Sequence, residues 1–471
     1  MKTRGGPVWT SSRVVISSHR PLTSYKRVVP NEDAVSTELS TVSTAVKTIN
    51  NYFSISQSDN LECPPPLVTV ELPNTASIEP PIAFDRSDFV KFQANRDVFS
   101  EAVSFAVKLL PQRTTLPILS GVLIEATETG LILSSFDYEV SAQTEIAADV
   151  EETGKVLVSG RLLAEIASRM PNAPVRFSTK ESRISVSCGS ANFTLLSMPV
   201  EEYPSIPQVG VQSGLVPAED FAAAVAQVGV AASRDDVTPV ITGVQLEISE
   251  NSLSLVATDR YRVAVREIDW DPGSNAAQGT ITALVPARTL QEVGKTFGHS
   301  GTISVAITST DDRELIAFTA EKKTVTSLLI KGNFPPVRRL FPETVDNYAV
   351  MNTAELVEAT RRVQLVLERE AALRFTFAAD GLTLEAIGSE QAQASEKIDA
   401  ILSGTETIVS LKPQFLLDGL GAVHSEFVRI SFTKTENPNK PGPVLITSQN
   451  SRDQPGADSY KYLLQPNLLL R

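Results

Sequence analysis

What most constrains this chain is that it writes one pattern three times. Residues 253–265, L-S-L-V-A-T-D-R-Y-R-V-A-V, set Leu253, Leu255 and Ala257 in alternation with Ser254, Val256 and Thr258. The run breaks at Asp259 and Arg260 and resumes its apolar phase at Val263 and Val265. Such a pattern predicts two antiparallel strands joined by a polar turn. An equivalent run occupies residues 131–137 and a weaker one residues 382–388, a spacing of about 120 to 130 residues. Each copy is preceded by an amphipathic helix candidate (97–110, 219–231, 354–367) and followed by a second (161–170, 287–297, 413–423). Solenoid units are shorter, so the repeat predicts three whole domains, each an α+β unit with helices on one side of its sheet. The boundaries fall at 90–211, 212–343 and 344–471.

Helical spacing sorts the residues by face. Phe99, Val103, Val107 and Leu110 share the buried side of the first helix, while Arg96, Ser100, Ser104 and Lys108 lie on or near the other. The second helix offers Leu162, Leu163, Ile166 and Met170 to the core and turns Arg161, Glu165 and Arg169 outward. Pro111 ends the first helix; Arg113 occupies the loop behind it, as Arg234 does in the second repeat.

Residues 1–89 depart from all this. They are rich in Ser, Thr and Pro and lack sustained periodicity, which predicts a flexible extension, or upstream sequence translated from a start site placed too early. In the second case Val90-Lys91-Phe92 is the true beginning. The first thirty residues include Arg4, Arg13, Arg20, Lys26 and Arg27 and no acid, as in organelle transit peptides, but no apolar stretch follows to make a secretory signal.

Composition narrows the function. Cys63 and Cys188 are the only cysteines, far apart, so neither a disulfide framework nor a cysteine zinc site is expected, and a reducing cytoplasmic setting suits the chain. A net charge of -13 excludes a uniformly basic nucleic-acid coat protein but leaves room for a basic face on an acidic body. Catalytic motifs are absent: Gly294-Lys295-Thr296 has Thr289 where a phosphate loop needs glycine, and residues 298–301 miss the spacing of a nucleophile elbow. His19, His299 and His424 have no ligand spacing around them, so no metal or other cofactor is expected.

Four segments in order carry a family resemblance: T-L-P-I-L (115–119), M-P-V-E-E-Y-P (198–204), V-A-T-D-R-Y-R-V-A-V (256–265) and F-P-P-V-R-R-L-F-P (334–342). From residue 90 onward the chain resembles the bacterial sliding clamps, the beta subunits of DNA polymerase III. The resemblance implies three clamp domains in a head-to-tail homodimeric ring, with helices lining the hole and antiparallel sheets outside. It further implies a non-enzymatic processivity role without cofactors. The partners would be double-stranded DNA held without sequence preference, the DNA polymerase III alpha subunit, the clamp loader and other clamp-binding replication and repair proteins.

By the same resemblance a partner peptide enters a pocket formed by Ile241, Thr258, Tyr261, Arg262, Val263, Pro335, Arg339, Leu340, Leu463, Leu464 and Pro466. There, aliphatic walls would take apolar side chains and Thr258 and the arginines would anchor polar ones. Family members commonly end in an apolar-Pro-apolar-Arg tail, whereas this chain reads Gln465-Pro466-Asn467, which alters the rim. Lys108, Arg113, Arg161, Arg169, Arg234, Arg288, Lys295, Arg361 and Lys412 are the candidates to face DNA, Arg161 and Arg288 at equivalent helix positions. Phe193 and Leu195, with no assigned core partner, and Leu365 and Leu367 are the candidates for the dimer seam. Two other classes compete: a peptide-binding scaffold without a DNA role, and a metal-dependent hydrolase using Asp235, Asp236 and Asp259.

Overall fold

A computed structural model describes residues 89–110, 114–207, 210, 213–273, 280–309, 313–368, 371–387, 392–433, 442–456 and 459–467. The expectations for the extension and for Arg113 fall outside these residues. Domain 1 comprises β1 (Lys91–Ala94), α1 (Arg96–Lys108), β2 (Gly121–Thr127), β3 (Gly130–Phe136), β4 (Val140–Ile146), β5 (Asp149–Glu152), β6 (Gly154–Ser159), α2 (Gly160–Ser168), β7 (Val175–Lys180), β8 (Arg183–Cys188) and β9 (Ala191–Met198). Domain 2 repeats the order with β10 (Gly214–Pro217), α3 (Ala218–Gly229), β11 (Gly243–Ile248), β12 (Ser252–Thr258), β13 (Arg262–Asp269), β14 (Ile281–Pro286), α4 (Ala287–Phe297), β15 (Thr302–Ser309), β16 (Glu314–Ala320) and β17 (Lys323–Leu328). Domain 3 follows with β18 (Tyr348–Asn352), α5 (Thr353–Val363), β19 (Leu373–Ala378), β20 (Gly381–Ile387), β21 (Gln393–Ile398), β22 (Ile401–Ser403), β23 (Thr407–Leu411), α6 (Pro413–Ala422), β24 (Phe427–Phe432), β25 (Val444–Gln449) and β26 (Lys461–Leu464).

The helices form for local reasons. Asn95 caps α1 by accepting from the backbone N–H groups of Asp97 and Val98, and Asn352 caps α5 by accepting from that of Glu355. Asp97 at the start of α1 and Lys108 at its end complement the helix dipole. The apolar stripes then pack in pairs, α1 on α2, α3 on α4 and α5 on α6. Neighbouring pairs also meet: the Phe105 ring of α1 lies 6.2 Å from that of Phe297 on α4, and Gln227 of α3 donates to the Ala422 carbonyl of α6 at 2.8 Å. The helix layer therefore runs α2, α1, α4, α3, α6, α5. One residue of it departs from expectation: Leu162 is half exposed while Leu163 is fully buried.

The sheets do what the repeat pattern could not reveal, because they run across domain boundaries. β17 pairs antiparallel with β4, joining domain 2 to domain 1, and β26 pairs antiparallel with β13, joining domain 3 to domain 2. At both junctions the last strand of one domain adds to the third strand of the preceding domain's β-meander (β2–β4 or β11–β13). These two pairings create the platforms on which the candidate site stands.

Candidate partner-peptide site and the helix-lined face

At the second junction, strand alternation divides the side chains between two faces. One face meets the helices. On the other, Val256, Val263, Val265, Leu445 and Leu463 form an apolar cluster with Val337, and Phe334 and Phe341 of the linker to domain 3 pack against it. The register sets Thr258 beside Val263, Val263 beside Leu463 and Leu463 beside Leu445, so one floor is shared by domains 2 and 3. Tyr261 and Leu340 stand at the rim, 58% and 50% exposed. Arg339 is exposed, Pro335 half-buried, and Ile241 and Pro466 buried. Leu464 does not join the floor: it faces the helices beside Tyr462 and is fully buried in the main core.

The polar anchors expected here are committed elsewhere. The Thr258 hydroxyl donates to the Arg262 carbonyl at 2.8 Å and accepts from the Arg260 N–H. Asp259 closes the turn by accepting from the N–H groups of Tyr261 and Arg262, and Arg260 carries a positive φ of 79°. Arg262 points away from the floor. Its guanidinium donates to Asp259 at 2.8 Å, to Asp418 of α6 at 2.6 Å and to the Tyr462 hydroxyl at 3.2 Å, and lies 4.4 Å from the centre of the Phe415 ring. Burial alone lowers an arginine pKa, but the Tyr462 hydroxyl and the Asp418 and Asp259 carboxylates more than offset it, and the Arg262 pKa is raised. Burial likewise raises the Tyr462 pKa, with Arg262 acting against the shift. A Cβ at Gly419 would stand 2.6 Å from the Tyr462 ring, which is why α6 carries glycine there. Arg262 thus ties domain 3 to domain 2 beneath the floor, and Arg339 and Tyr261 remain exposed at its rim.

The first junction has the same frame. Asp137 accepts from the N–H groups of Glu139 and Val140, and Tyr138 has a φ of 75°, repeating Asp259 and Arg260. Tyr203-Pro204 of the linker to domain 2 stands where Phe334-Pro335 stands at the second junction. The floor differs: Ser134, Ser141, Gln143, Thr324 and Thr326 take the places of Val256, Val263, Val265, Lys461 and Leu463.

On the helix-lined side, Arg161, Arg169, Arg234 and Arg288 are exposed. Lys108 donates to Thr296 at 2.9 Å and lies 3.5 Å from the Glu292 carboxylate, which Lys295 also engages at 2.8 Å. Partial burial alone would raise the Glu292 pKa, but Lys295 and then Lys108 hold it below the usual carboxylate range. Arg361 pairs with Glu358 at 2.8 Å. Lys412 belongs to the second junction, half-buried with its ammonium 5.6 Å from the Phe415 ring and 5.9 Å from that of Tyr261. Two cations were not among the DNA-facing candidates: Arg96 and Lys323 line a groove of about 530 Å³ with Lys108 and Lys295. The four-residue spacing of 96, 100, 104 and 108 carried the signal for Arg96, whereas Lys323 arrives from another domain.

Two strands keep an open edge. β9 pairs with β8, and with β6 only through Ser197 and Met198; β21 pairs with β20 alone among the described residues. Leu195 is 8% exposed and belongs to the core of domain 1, with Phe193 packed against it. Its neighbour Leu196 is the exposed one, at 69%. Leu365 is 81% exposed in a 3-10 turn against β20 and β21, and Leu367 is partly buried against the core.

Comparison with known proteins decides the family. The profile of the DNA polymerase III beta subunit matches in three parts: the N-terminal domain over residues 90–207, the central domain over 215–336 and the C-terminal domain over 338–452. The chain belongs to this family. A beta sliding clamp of Streptomyces coelicolor is 44% identical over 378 residues, 80% of this chain and 99% of its own length. One from Micrococcus luteus is 43% identical over 313 residues, 66% of this chain and all of its own. The crystal structure of the Bacillus subtilis DNA polymerase sliding clamp superposes with a TM-score of 0.74 at 24% identity, covering 81% of this chain and 100% of that one.

The protein is therefore a DNA sliding clamp, a processivity factor and not an enzyme. The hydrolase reading loses support as well, since Asp259 is held by its own turn and by Arg262, and no group of three or more His, Cys, Asp or Glu side chains able to hold a metal occurs among the described residues. Among the described residues no helix is long and apolar enough to cross a membrane.

Proposed function

We propose that two copies of this clamp close head to tail around duplex DNA, β9 of each pairing with β21 of the other. The observation that carries the reading is the repeated junction rule: β17 adds to β4 and β26 adds to β13. β9 and β21 are the remaining strands of those two kinds, both with an open edge; exposed Leu196 lies in β9, and exposed Leu365 lies in the turn against β21. Two identical seams of this kind close on themselves. Phe193 supports the seam from within the sheet and Leu367 by holding the turn that presents Leu365.

The helix layer then faces the DNA. Its cations Lys108, Lys295 and Arg361 already have carboxylate partners, so phosphate contacts are weak and exchangeable, as a sliding ring requires. Arg161, Arg169, Arg234 and Arg288 add exposed positive charge on the helical domain faces. The apolar floor at the second junction takes an extended client peptide, with Leu340 and Tyr261 as rim contacts and Arg339 as the polar one. Such peptides belong to the DNA polymerase III alpha subunit, the clamp loader and other replication and repair proteins, which a ring holds near the DNA at high effective concentration. The domains divide at 90–211, 212–343 and 344–471.

Leu196→Asp combined with Leu365→Asp tests the seam, because like charges then face each other across it. Analytical ultracentrifugation should find monomers with unchanged circular dichroism and unchanged affinity for a Gln-Leu-x-Leu-Phe peptide. A persistent dimer would place the seam elsewhere. Loss of retention on nicked circular DNA by the same variant, after loading, tests encirclement.

A further inference from the structure

We infer that Phe415 of domain 3 is a positioning residue of the client-peptide site: it holds the rim residue Tyr261 of domain 2 ready for the ligand without meeting the ligand itself. The inference rests on the client-peptide reading of the second junction. α6 sets the Phe415 ring against two successive residues, Tyr261 just before β13 and Arg262 within it. The Tyr261 ring is centred 6.0 Å away at an angle of 29°, and the Arg262 guanidinium lies 4.4 Å from the centre of the Phe415 ring. Both separations suit aromatic and cation–π contact, and the Lys412 ammonium lies over both rings. Phe415 is itself pinned, because the Tyr462 hydroxyl donates to its carbonyl at 2.7 Å and accepts from the Arg262 guanidinium. Domain 3 holds the Tyr261 backbone too, since the Gln465 N–H donates to its carbonyl at 2.8 Å.

The two junctions differ in this set as a whole. Counted from the Asp-closed turns, the first junction has Glu139 and Val140 where the second has Tyr261 and Arg262. Counted from the starts of α4 and α6, it has Pro286, Thr289 and Glu292 where the second has Lys412, Phe415 and Asp418. Thr289 is buried in the place of Phe415, so the first junction docks its domains without an aromatic pair. Docking therefore does not require the stack. What the stack supplies is order at the rim, above the apolar floor. Tyr261 is 58% exposed, and an exposed aromatic side chain with no neighbour loses rotamer freedom when a peptide settles on it. Phe415 removes that loss by fixing the ring beforehand, and it does so from the other domain.

The probe is a labelled Gln-Leu-Ala-Leu-Phe peptide titrated by fluorescence anisotropy into the intact clamp. Expected is that Phe415→Leu weakens binding at least fivefold, that Phe415→Tyr, which keeps the ring, stays within twofold, and that Tyr261→Ala weakens it at least as much as Phe415→Leu. Added to Tyr261→Ala, Phe415→Leu should then weaken binding less than a further twofold, because the residue it acts through is already gone. Phe415→Met fills most of the volume without a ring face and should repeat the Phe415→Leu pattern, including where the leucine variant does not fold. Equal weakening in both backgrounds would mean that Phe415 meets the peptide itself or acts through the fold, and would overturn the inference, as would full affinity in Tyr261→Ala. No binding to the unsubstituted clamp is a different failure: it would refute the client-peptide reading, and the inference would fall with it.

Discussion

The two domain junctions share a backbone and differ in nearly every side chain that matters. At β13 and β26 the outward face is valine and leucine with Lys461 at the start of β26, sealed by Phe334, Val337 and Phe341; at β4 and β17 it is serine, threonine and glutamine beside Tyr203. On the opposite face Arg262 reaches across to Asp418, where its counterpart in the first repeat is the uncharged Val140. One repeated frame thus yields an apolar floor at one junction and a polar groove that holds both glutamate and lysine at the other. The lesson is that strand pairing places the surface and the outward residues of the paired strands set its chemistry.

Arg262→Ala should break the comparison hardest. It strands Asp259 and Asp418 partly buried without their partner, a loss of about 3 to 5 kcal/mol, whereas Val140→Ala should cost about 1 kcal/mol. Urea denaturation of both variants checks this, and near-equal midpoints would remove the tie from the account.

Next comes the floor. Leu463→Ala should destabilise by about 2 to 4 kcal/mol and weaken the client peptide at least tenfold, while Thr326→Ala at the other junction costs about 1 kcal/mol and leaves the peptide alone. Calorimetry on both would expose any error in the assignment of the floor.

The rim sharpens the contrast. Gln465 and Asn467 are half-buried and held by their backbone N–H groups, to the Tyr261 and Ser410 carbonyls at 2.8 Å. Gln465→Met with Asn467→Leu should therefore keep the backbone and tighten the peptide by about 1 to 2 kcal/mol. No change in affinity would refute the rim effect.

The effect of narrowest reach, absent at neutral pH, is a pH term confined to the first junction. Burial raises the Tyr203 pKa from 10.0 to about 12, against the hydrogen bond with Phe136, which lowers it. A raised folded pKa favours the neutral phenol, so its stabilisation is complete below pH 10 and is lost as pH rises through about 12. Tyr203→Phe should flatten stability over that window, and thermal melts between pH 9 and 12 would reveal it. Phe334, the counterpart, has no hydroxyl and gives the second junction no such term.

The sequence by itself determined the repeat and the helices, because both are written in local spacing. The helix expected at 287–297 is α4 (Ala287–Phe297), and those expected at 97–110 and 413–423 are α1 (Arg96–Lys108) and α6 (Pro413–Ala422). Asn caps, prolines and the 3.6-residue period act within a few residues of themselves. It also gave the family, through four short segments in order. Tertiary structure decided the phase of neighbouring residues: Leu162 or Leu163, Leu195 or Leu196, Leu463 or Leu464. In each pair both side chains are leucine, so composition is silent, and the choice falls to whichever face another element covers. It decided the fate of Arg262 too, since Asp418 lies 156 residues away. And it made the junctions themselves, where strands from different domains, such as β13 and β26, become neighbours only when the chain has closed the long loop between them.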